Sequence, residues 1–244
     1  MMGPVVRIAS FVPEYREYAL AGQRLDAAVK GAPKRGPTFD EGPLSFTGID
    51  SRAAERSAID ITLKPGDRIA IIGPSGSGKT SAIEALLGAK DGILDNPAVS
   101  RRAARDVRLA LPYRGVRYLT EAPAFETGTV LFNCQADLPT CREIIARFGL
   151  FREMDDAALE RFMQRSISQS GEPLSLGERQ RVQFIRTMAA EPSVLFLDEA
   201  LSGIEEDRER EIIGRLIEER SISTLVYIGH RRSIQKLCGK QIRL

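Results

Sequence analysis

Three cysteines, one histidine, no long apolar run and no surplus of either charge are the first features of this chain. Cys134, Cys141 and Cys238 form no C-x-x-C pair, so neither a zinc site nor a disulfide framework is expected. An odd count without a signal peptide fits reduced thiols in a cytosolic protein. No apolar stretch approaches the roughly 18 residues that span a bilayer, and the N-terminus lacks an apolar region followed by a cleavage site. Lys+Arg 35 against Asp+Glu 33 leaves a net charge of +2, so no nucleic-acid partner and no acidic tail are expected. Internal repeats and low-complexity tracts are absent as well. What remains is 244 residues, 43% of them hydrophobic, enough for the core of one large α/β domain or two small ones.

The most informative stretch is Asp67-Arg68-Ile69-Ala70-Ile71-Ile72-Gly73-Pro74-Ser75-Gly76-Ser77-Gly78-Lys79-Thr80-Ser81. A short apolar strand runs into a glycine-rich turn and then into a helix. From Gly73 to Thr80 it satisfies G-x-x-x-x-G-K-[ST] in the strand-turn-helix context that a phosphate-binding loop requires. Gly73, Gly76 and Gly78 let the backbone curl and bring bare N–H groups against phosphate oxygens. The helix start adds unpaired N–H groups and a positive dipole end. In this reading Lys79 reaches the β- and γ-phosphates and Thr80 offers its hydroxyl to Mg²⁺.

Around that loop the chain alternates strands and helices. Residues 7–30 carry a helical amphipathic pattern, and Gly31-Ala32-Pro33-Lys34-Arg35-Gly36-Pro37 breaks it as a linker would. Residues 1–40 are therefore set apart as a tail and linker, either a packing arm or a lead-in from something else, and 41–244 as the domain that carries the phosphate loop. Two alternating strands flank a polar loop between Pro43 and Leu63, and Lys64-Pro65-Gly66-Asp67 fits a type II turn. Val116-Arg117-Tyr118-Leu119 is a further core strand. Residues 127–175 are mainly helical, a subdomain inserted into the sheet; Thr140-Cys141-Arg142-Glu143 has capping-box spacing, and Asp155 and Asp156 can open the next helix. The apolar run Val194-Leu195-Phe196-Leu197 suits a central parallel strand covered on both faces, and a last strand over 224–228 ends at Gly229-His230. The expected fold is an α/β phosphate-loop NTPase with a mostly parallel sheet, a small antiparallel β subdomain and an inserted helical subdomain.

Ligands of open parallel sheets sit beyond the carboxyl ends of the strands. Asp198 closes an apolar strand and suits Mg²⁺, directly or through water. Glu199 follows as general base for the attacking water. Alone, this acidic pair would cap the next helix; beside a phosphate loop it reads as catalytic. His230, the single histidine, is a structural residue or a hydrogen-bonding partner of the γ-phosphate or the water.

Taken together, the phosphate loop, Leu174-Ser175-Leu176-Gly177-Glu178 before a basic helix, Leu197-Asp198-Glu199-Ala200 and Gly229-His230-Arg231 resemble the nucleotide-binding domain of ABC transporters. The resemblance spans roughly residues 44–244. It is closest to half-transporters related to peroxisomal acyl-chain carriers and bacterial peptide-uptake relatives. It implies an ATPase with ATP and Mg²⁺ as ligands, working as a head-to-tail homodimer or heterodimer with another such domain. A permease in the same or a separate chain would be the partner, and the domain would lie in the cytoplasm or at the cytoplasmic membrane face.

By the same resemblance Ser175 and Gly177 contact the γ-phosphate held by the partner. Glu121 stands where the family has a Mg²⁺-binding glutamine, and an ionised carboxylate cannot donate a hydrogen bond. Where an aromatic residue stacks on adenine, Gly48 and Ile49 are not aromatic, and Phe46 is the nearest ring. Ser202-Gly203-Ile204-Glu205 replaces the usual S-A-L-D, and Gly171-Glu172-Pro173 is a shortened form of the segment before the signature. These departures bear on fast hydrolysis more than on binding, so a soluble or regulatory ATPase with slow turnover is the alternative.

Overall fold

A computed structural model of the chain describes residues 44–50, 58–80, 83 and 115–244, with side chains described at 63–80, 83 and 115–244. The tail and linker expected over 1–40 lie outside the described residues, as does most of the helix expected after Thr80.

The alternating segments before the phosphate loop pair as an antiparallel ribbon, β1 (Leu44–Asp50) with β2 (Ala58–Leu63). Their register slips between Phe46 and Ile49, where Gly48 permits an irregularity. The following turn is closed by the Asp67 N–H donating to the Lys64 carbonyl at 3.0 Å, and Gly66 takes the positive φ of +93° that a type II turn demands.

Among the described residues, five strands form a wholly parallel sheet: β3 (Arg68–Ile72), β4 (Val116–Thr120), β7 (Val194–Asp198), β8 (Thr224–Ile228) and β9 (Lys240–Arg243). Their spatial order is β4-β7-β8-β3-β9. Every residue of β7 and β8 is buried, which is why residues 194–197 and 225–228 run without the polar alternation of a half-exposed strand. Arg68 fastens the start of β3 to the start of β8, its guanidinium donating to the carbonyls of Ser223 (2.8 Å) and Ile222 (2.7 Å).

Between β4 and β7 lies a largely helical insertion. A two-residue pair, β5 (Gly128–Thr129) with β6 (Ser166–Ile167), closes its base. Three helices stand between them: α1 (Val130–Cys134), α2 (Leu138–Phe148) and α3 (Asp156–Met163). Asp155 caps α3 as its position suggests. The start expected at Thr140 is corrected: Asp137 is the cap of α2, accepting from the Thr140 N–H at 2.9 Å. Pro139 fits in the first turn, where a missing N–H removes no helical bond. Thr140 and Glu143 thus have the spacing of a capping box while lying inside the helix.

Three further helices follow: α4 (Leu176–Ala189) before β7, α5 (Glu206–Glu218) before β8 and α6 (Arg232–Gln235) before β9. The Phe184 ring of α4 meets Phe148 of α2 edge-on at 5.0 Å, and both belong to one continuous apolar cluster that also holds Leu119, Leu195 and Leu225 of the sheet. Insertion and sheet therefore share a core.

At the end of β7 the backbone turns sharply. Glu199 has φ +50°, a left-handed conformation, and its N–H donates to the Ile228 carbonyl at 2.9 Å.

Two stability outcomes follow. Phe184→Ala should cost about 3–5 kcal/mol, measured by urea unfolding, because it empties the contact joining α4 to α2. Glu199→Gly should be more stable than Glu199→Ala by about 1 kcal/mol, because only glycine takes the left-handed backbone without a steric cost. Equal unfolding midpoints would show that no such strain is held at this turn.

Candidate functional site

Parallel pairing in register sets the geometry of the site. Thr120 of β4 pairs with Asp198 of β7, Asp198 with Ile228 of β8, and Ile228 with Ile71 of β3. Glu121, Glu199, Gly229 and Ile72 therefore form the next row across the carboxyl edge, about 14 Å wide at the usual strand spacing. The phosphate-loop sequence, the acidic pair and the histidine all leave the sheet from this edge.

The loop at the end of β3 is built from its own backbone. Gly76 and Gly78 have φ of +79° and +91°, which a side chain would oppose. A Cβ on Gly73 would lie 2.7 Å from both the Leu244 carbonyl oxygen and Ser77 Oγ, so glycine is required there by close approach. Leu244 is held at that spot because its N–H donates to the Ile72 carbonyl at 2.9 Å, extending β9 along the loop. Lys79 is buried and folds back over the loop, Nζ donating to the carbonyls of Pro74 (2.8 Å) and Gly73 (3.1 Å). With three donors, the ammonium keeps one for a ligand. Ser77 Oγ is buried with no hydrogen-bond partner, a polar group in the cradle left for a bound group to satisfy. Pro74, Ser75 and Thr80 are exposed around it, helical backbone begins at Lys79, and Ser81 lies outside the described residues.

Asp198 is buried at the end of β7, where the Tyr118 hydroxyl donates to its Oδ2 at 3.0 Å. The backbone turn at Glu199 swings the neighbouring carboxylate out to meet His230: Nε2 lies 2.8 Å from Glu199 Oε1, with the two side chains 56% and 30% exposed. They are thus partly open to a ligand. His230 is followed by Arg231, whose guanidinium pairs with the buried carboxylate of Glu209 on α5. Tyr227 donates to the other oxygen of that carboxylate at 3.0 Å. Burial raises the pKa of Glu209 despite the opposing charge of Arg231, and burial likewise raises that of Tyr227.

Glu121 is exposed just past β4, and its backbone carbonyl accepts from Gln180 Nε2 at 3.2 Å. Ser175 and Gly177 stand at the start of α4. Ser175 is its N-cap in a full capping box: its N–H and hydroxyl both donate to Glu178 Oε2 at 2.8 Å, and Oγ accepts from the Glu178 N–H at 3.2 Å. The positions expected to contact adenine, Phe46, Gly48 and Ile49, have no described side chains.

Tyr118, Gln180 and Glu209 were not legible as site residues from sequence. One signal was present for Glu209. It falls on the same helical stripe as Ile212, Ile213 and Leu216, where an acid must be paired to be buried.

Comparison with known proteins gives this edge its family. The family model described as "ABC transporter" matches residues 57–202. The lipoprotein-releasing system ATP-binding protein LolD of Psychrobacter arcticus is 29% identical over 84% of this chain and 91% of its own length. The mitochondrial ATP-dependent permease MDL1 of Saccharomyces cerevisiae is 28% identical over 94% of this chain but only 36% of the permease, so the chain spans about a third of that relative. The structure of a bacterial Atm1-family ABC exporter with ATP bound superposes with a TM-score of 0.67 at 20% identity, covering 88% of this chain and 39% of the exporter, a likeness of fold. With the family model covering more than half of the sequence, the chain belongs to the ABC transporter family, as an ATP-binding domain whose reaction is ATP hydrolysis.

Proposed function

We propose that this domain binds Mg·ATP between its own phosphate loop and the Ser175–Gly177 segment of a second domain arranged head to tail, and that hydrolysis there drives a membrane permease. The observation that carries the reading is the single row at the carboxyl edge, from which the phosphate loop, Asp198 and the Glu199–His230 contact all emerge. Among the described residues no helix is long and apolar enough to cross a membrane. The permease would therefore be another part of a longer chain or a separate one, with this domain at the cytoplasmic face. Relatives named as a permease and as a releasing-system ATP-binding protein support transport coupling over a slow regulatory ATPase.

Each residue has a part in this reading. The N–H groups from Gly73 to Thr80 cradle the phosphates, with Gly76 and Gly78 permitting the curl. Lys79 exchanges its contacts with the loop carbonyls for phosphate oxygens. Mg²⁺, when bound, supplies charge neutralisation on the β- and γ-phosphate oxygens. Thr80, Asp198 and Glu121 are the residues that would hold it; the buried carboxylate of Asp198 and the unpaired Ser77 hydroxyl in the cradle suit such a polar load. Glu199 accepts the proton of the attacking water. His230 Nε2 lies within hydrogen-bond distance of Glu199 Oε1, and this contact fixes the orientation of the Glu199 carboxyl. Ser175 and Gly177 close the site from the partner side at a helix N-terminus, where anions are favoured.

Lys79→Ala should lose tight nucleotide binding or turnover, and Glu199→Gln should keep binding while turnover falls about 10²- to 10⁴-fold. Normal hydrolysis by either variant would refute its assigned role. Light scattering on Glu199→Gln tests the dimer. Its mass should double with Mg·ATP, and adding Ser175→Arg should abolish the doubling. A monomer that has bound ATP would overturn the self-sufficient head-to-tail pair.

A further inference from the structure

One fully buried polar side chain is left unused by the reaction just described. Gln180 lies in the second turn of α4 with 0% exposure, and its amide bonds to three places at once. Nε2 donates to the Glu121 carbonyl beyond β4 and to Ser202 Oγ, both at 3.2 Å, while Oε1 accepts from the Gly203 N–H at 2.8 Å. No other residue type of that size supplies two donors and an acceptor in this geometry.

The backbone at this point is packed too closely for side chains. A Cβ on Gly177 would lie 2.7 Å from the Gly203 carbonyl oxygen, and a Cβ on Gly203 would lie 2.7 Å from Leu176 Cγ and 3.1 Å from the Gly177 nitrogen. With no side chain at either position, the start of α4 and the turn after β7 touch backbone to backbone.

The other side of the turn is fastened too. The Ser202 N–H donates to the Glu199 carbonyl at 3.1 Å, and the Ser202 carbonyl accepts from Arg231 Nη2 at 3.2 Å. Arg231 is held in turn by the buried carboxylate of Glu209, and it adjoins His230. The Ser202–Gly203 turn is thus bonded to the Ser175–Gly177 segment through Gln180 and to the Glu199–His230 pair through Ser202 and Arg231.

We infer that Gln180 is a positioning residue that locks the Ser175–Gly177 segment, the Ser202–Gly203 turn and the Glu199–His230 pair into one mechanical unit. Arg231 is its counterpart on the opposite side of the turn. Given the head-to-tail reading, on which this consequence rests, the surface that a domain presents to its partner's ATP cannot shift without moving that domain's own Glu199 and His230. Engagement at one site is therefore felt at the other through three hydrogen bonds to a single amide. Removing the amide should leave the phosphate loop untouched, since Gln180 makes no bond to it.

The test uses the full chain with Gln180→Met, which nearly preserves volume and makes no hydrogen bond, and Gln180→Glu, which keeps an acceptor for the Gly203 N–H. Amide hydrogen exchange is measured without nucleotide over residues 174–180 and 199–206. In Gln180→Met both segments should exchange about tenfold faster or more, as expected when buried groups lose their partners. In the same variant kcat for ATP should fall about tenfold with KM within about twofold, and Gln180→Glu should restore part of both effects. Unchanged exchange, faster exchange in one segment alone, or kcat and KM moving together would overturn the proposal. The exchange experiment needs neither nucleotide nor partner. Failure of the head-to-tail reading would appear instead as an ATP-bound Glu199→Gln domain of monomeric mass.

Discussion

In-register parallel hydrogen bonding of β7 to β4 on one side and to β8 on the other is the constraint on which the rest of this structure depends. Parallel strands end on a common edge, and the residue that follows each strand is delivered to its neighbours' successors without any further instruction. Asp198 and Ile228 are direct partners in the ladder, so Glu199 and Gly229 emerge side by side, and His230 comes within reach of Glu199 one residue later. A slip of one residue in either ladder would turn Asp198 to the other face of the sheet and dissolve the arrangement. The register is protected by burial: all ten residues of β7 and β8 are buried, and a slip would exchange the side chains packed on the two faces of the sheet.

Around this frame, several buried polar side chains are paired with more than one partner, in contrast to the unpartnered Ser77 hydroxyl of the phosphate cradle. Glu209 lies in the interior with Arg231 and Tyr227 as partners, Asn133 holds the backbone around Glu126 and Thr129, and Gln180 satisfies three separate segments. Such groups add little net stability but are costly to leave half satisfied, so they specify one arrangement of loops over its near alternatives. The apolar core does the complementary work, running unbroken from the sheet through Phe184 and Phe148 into the insertion. Loops near the phosphate site are thus fixed by hydrogen bonds, while the helices that carry them are fixed by packing.

Glu199 shows where local preference gives way. A glutamate at positive φ is unfavourable by itself, and no glycine marks the turn in the sequence. The conformation is held because the Glu199 N–H must meet the Ile228 carbonyl at the end of the ladder and because the segment behind it is closed by the Ser202 N–H. The result is a carboxylate aimed outward at His230 directly beside an aspartate aimed inward at Tyr118.

Sequence by itself determined the elements whose signals are local. Glycine spacing marked the phosphate loop, apolar runs marked β7 and β8, Pro65-Gly66 marked the turn before β3, and Asp155 marked the start of α3. Chemistry-bearing residues at strand ends were legible for the same reason, since a strand's end is visible in the chain that forms it. The start of α2 was misplaced because Thr140 and Glu143 imitate a cap that Asp137 supplies, and short-range spacing cannot separate the two. Only tertiary structure decided the order β4-β7-β8-β3-β9, the pairing of two-residue strands that closes the helical insertion, and the approach of Leu244 to Gly73. It alone joined Gln180 to residues 59 and 23 positions away along the chain. The physical reason is that hydrogen-bond partners of this kind are chosen by what packing brings together, and the sequence near Gln180 carries no record of that choice.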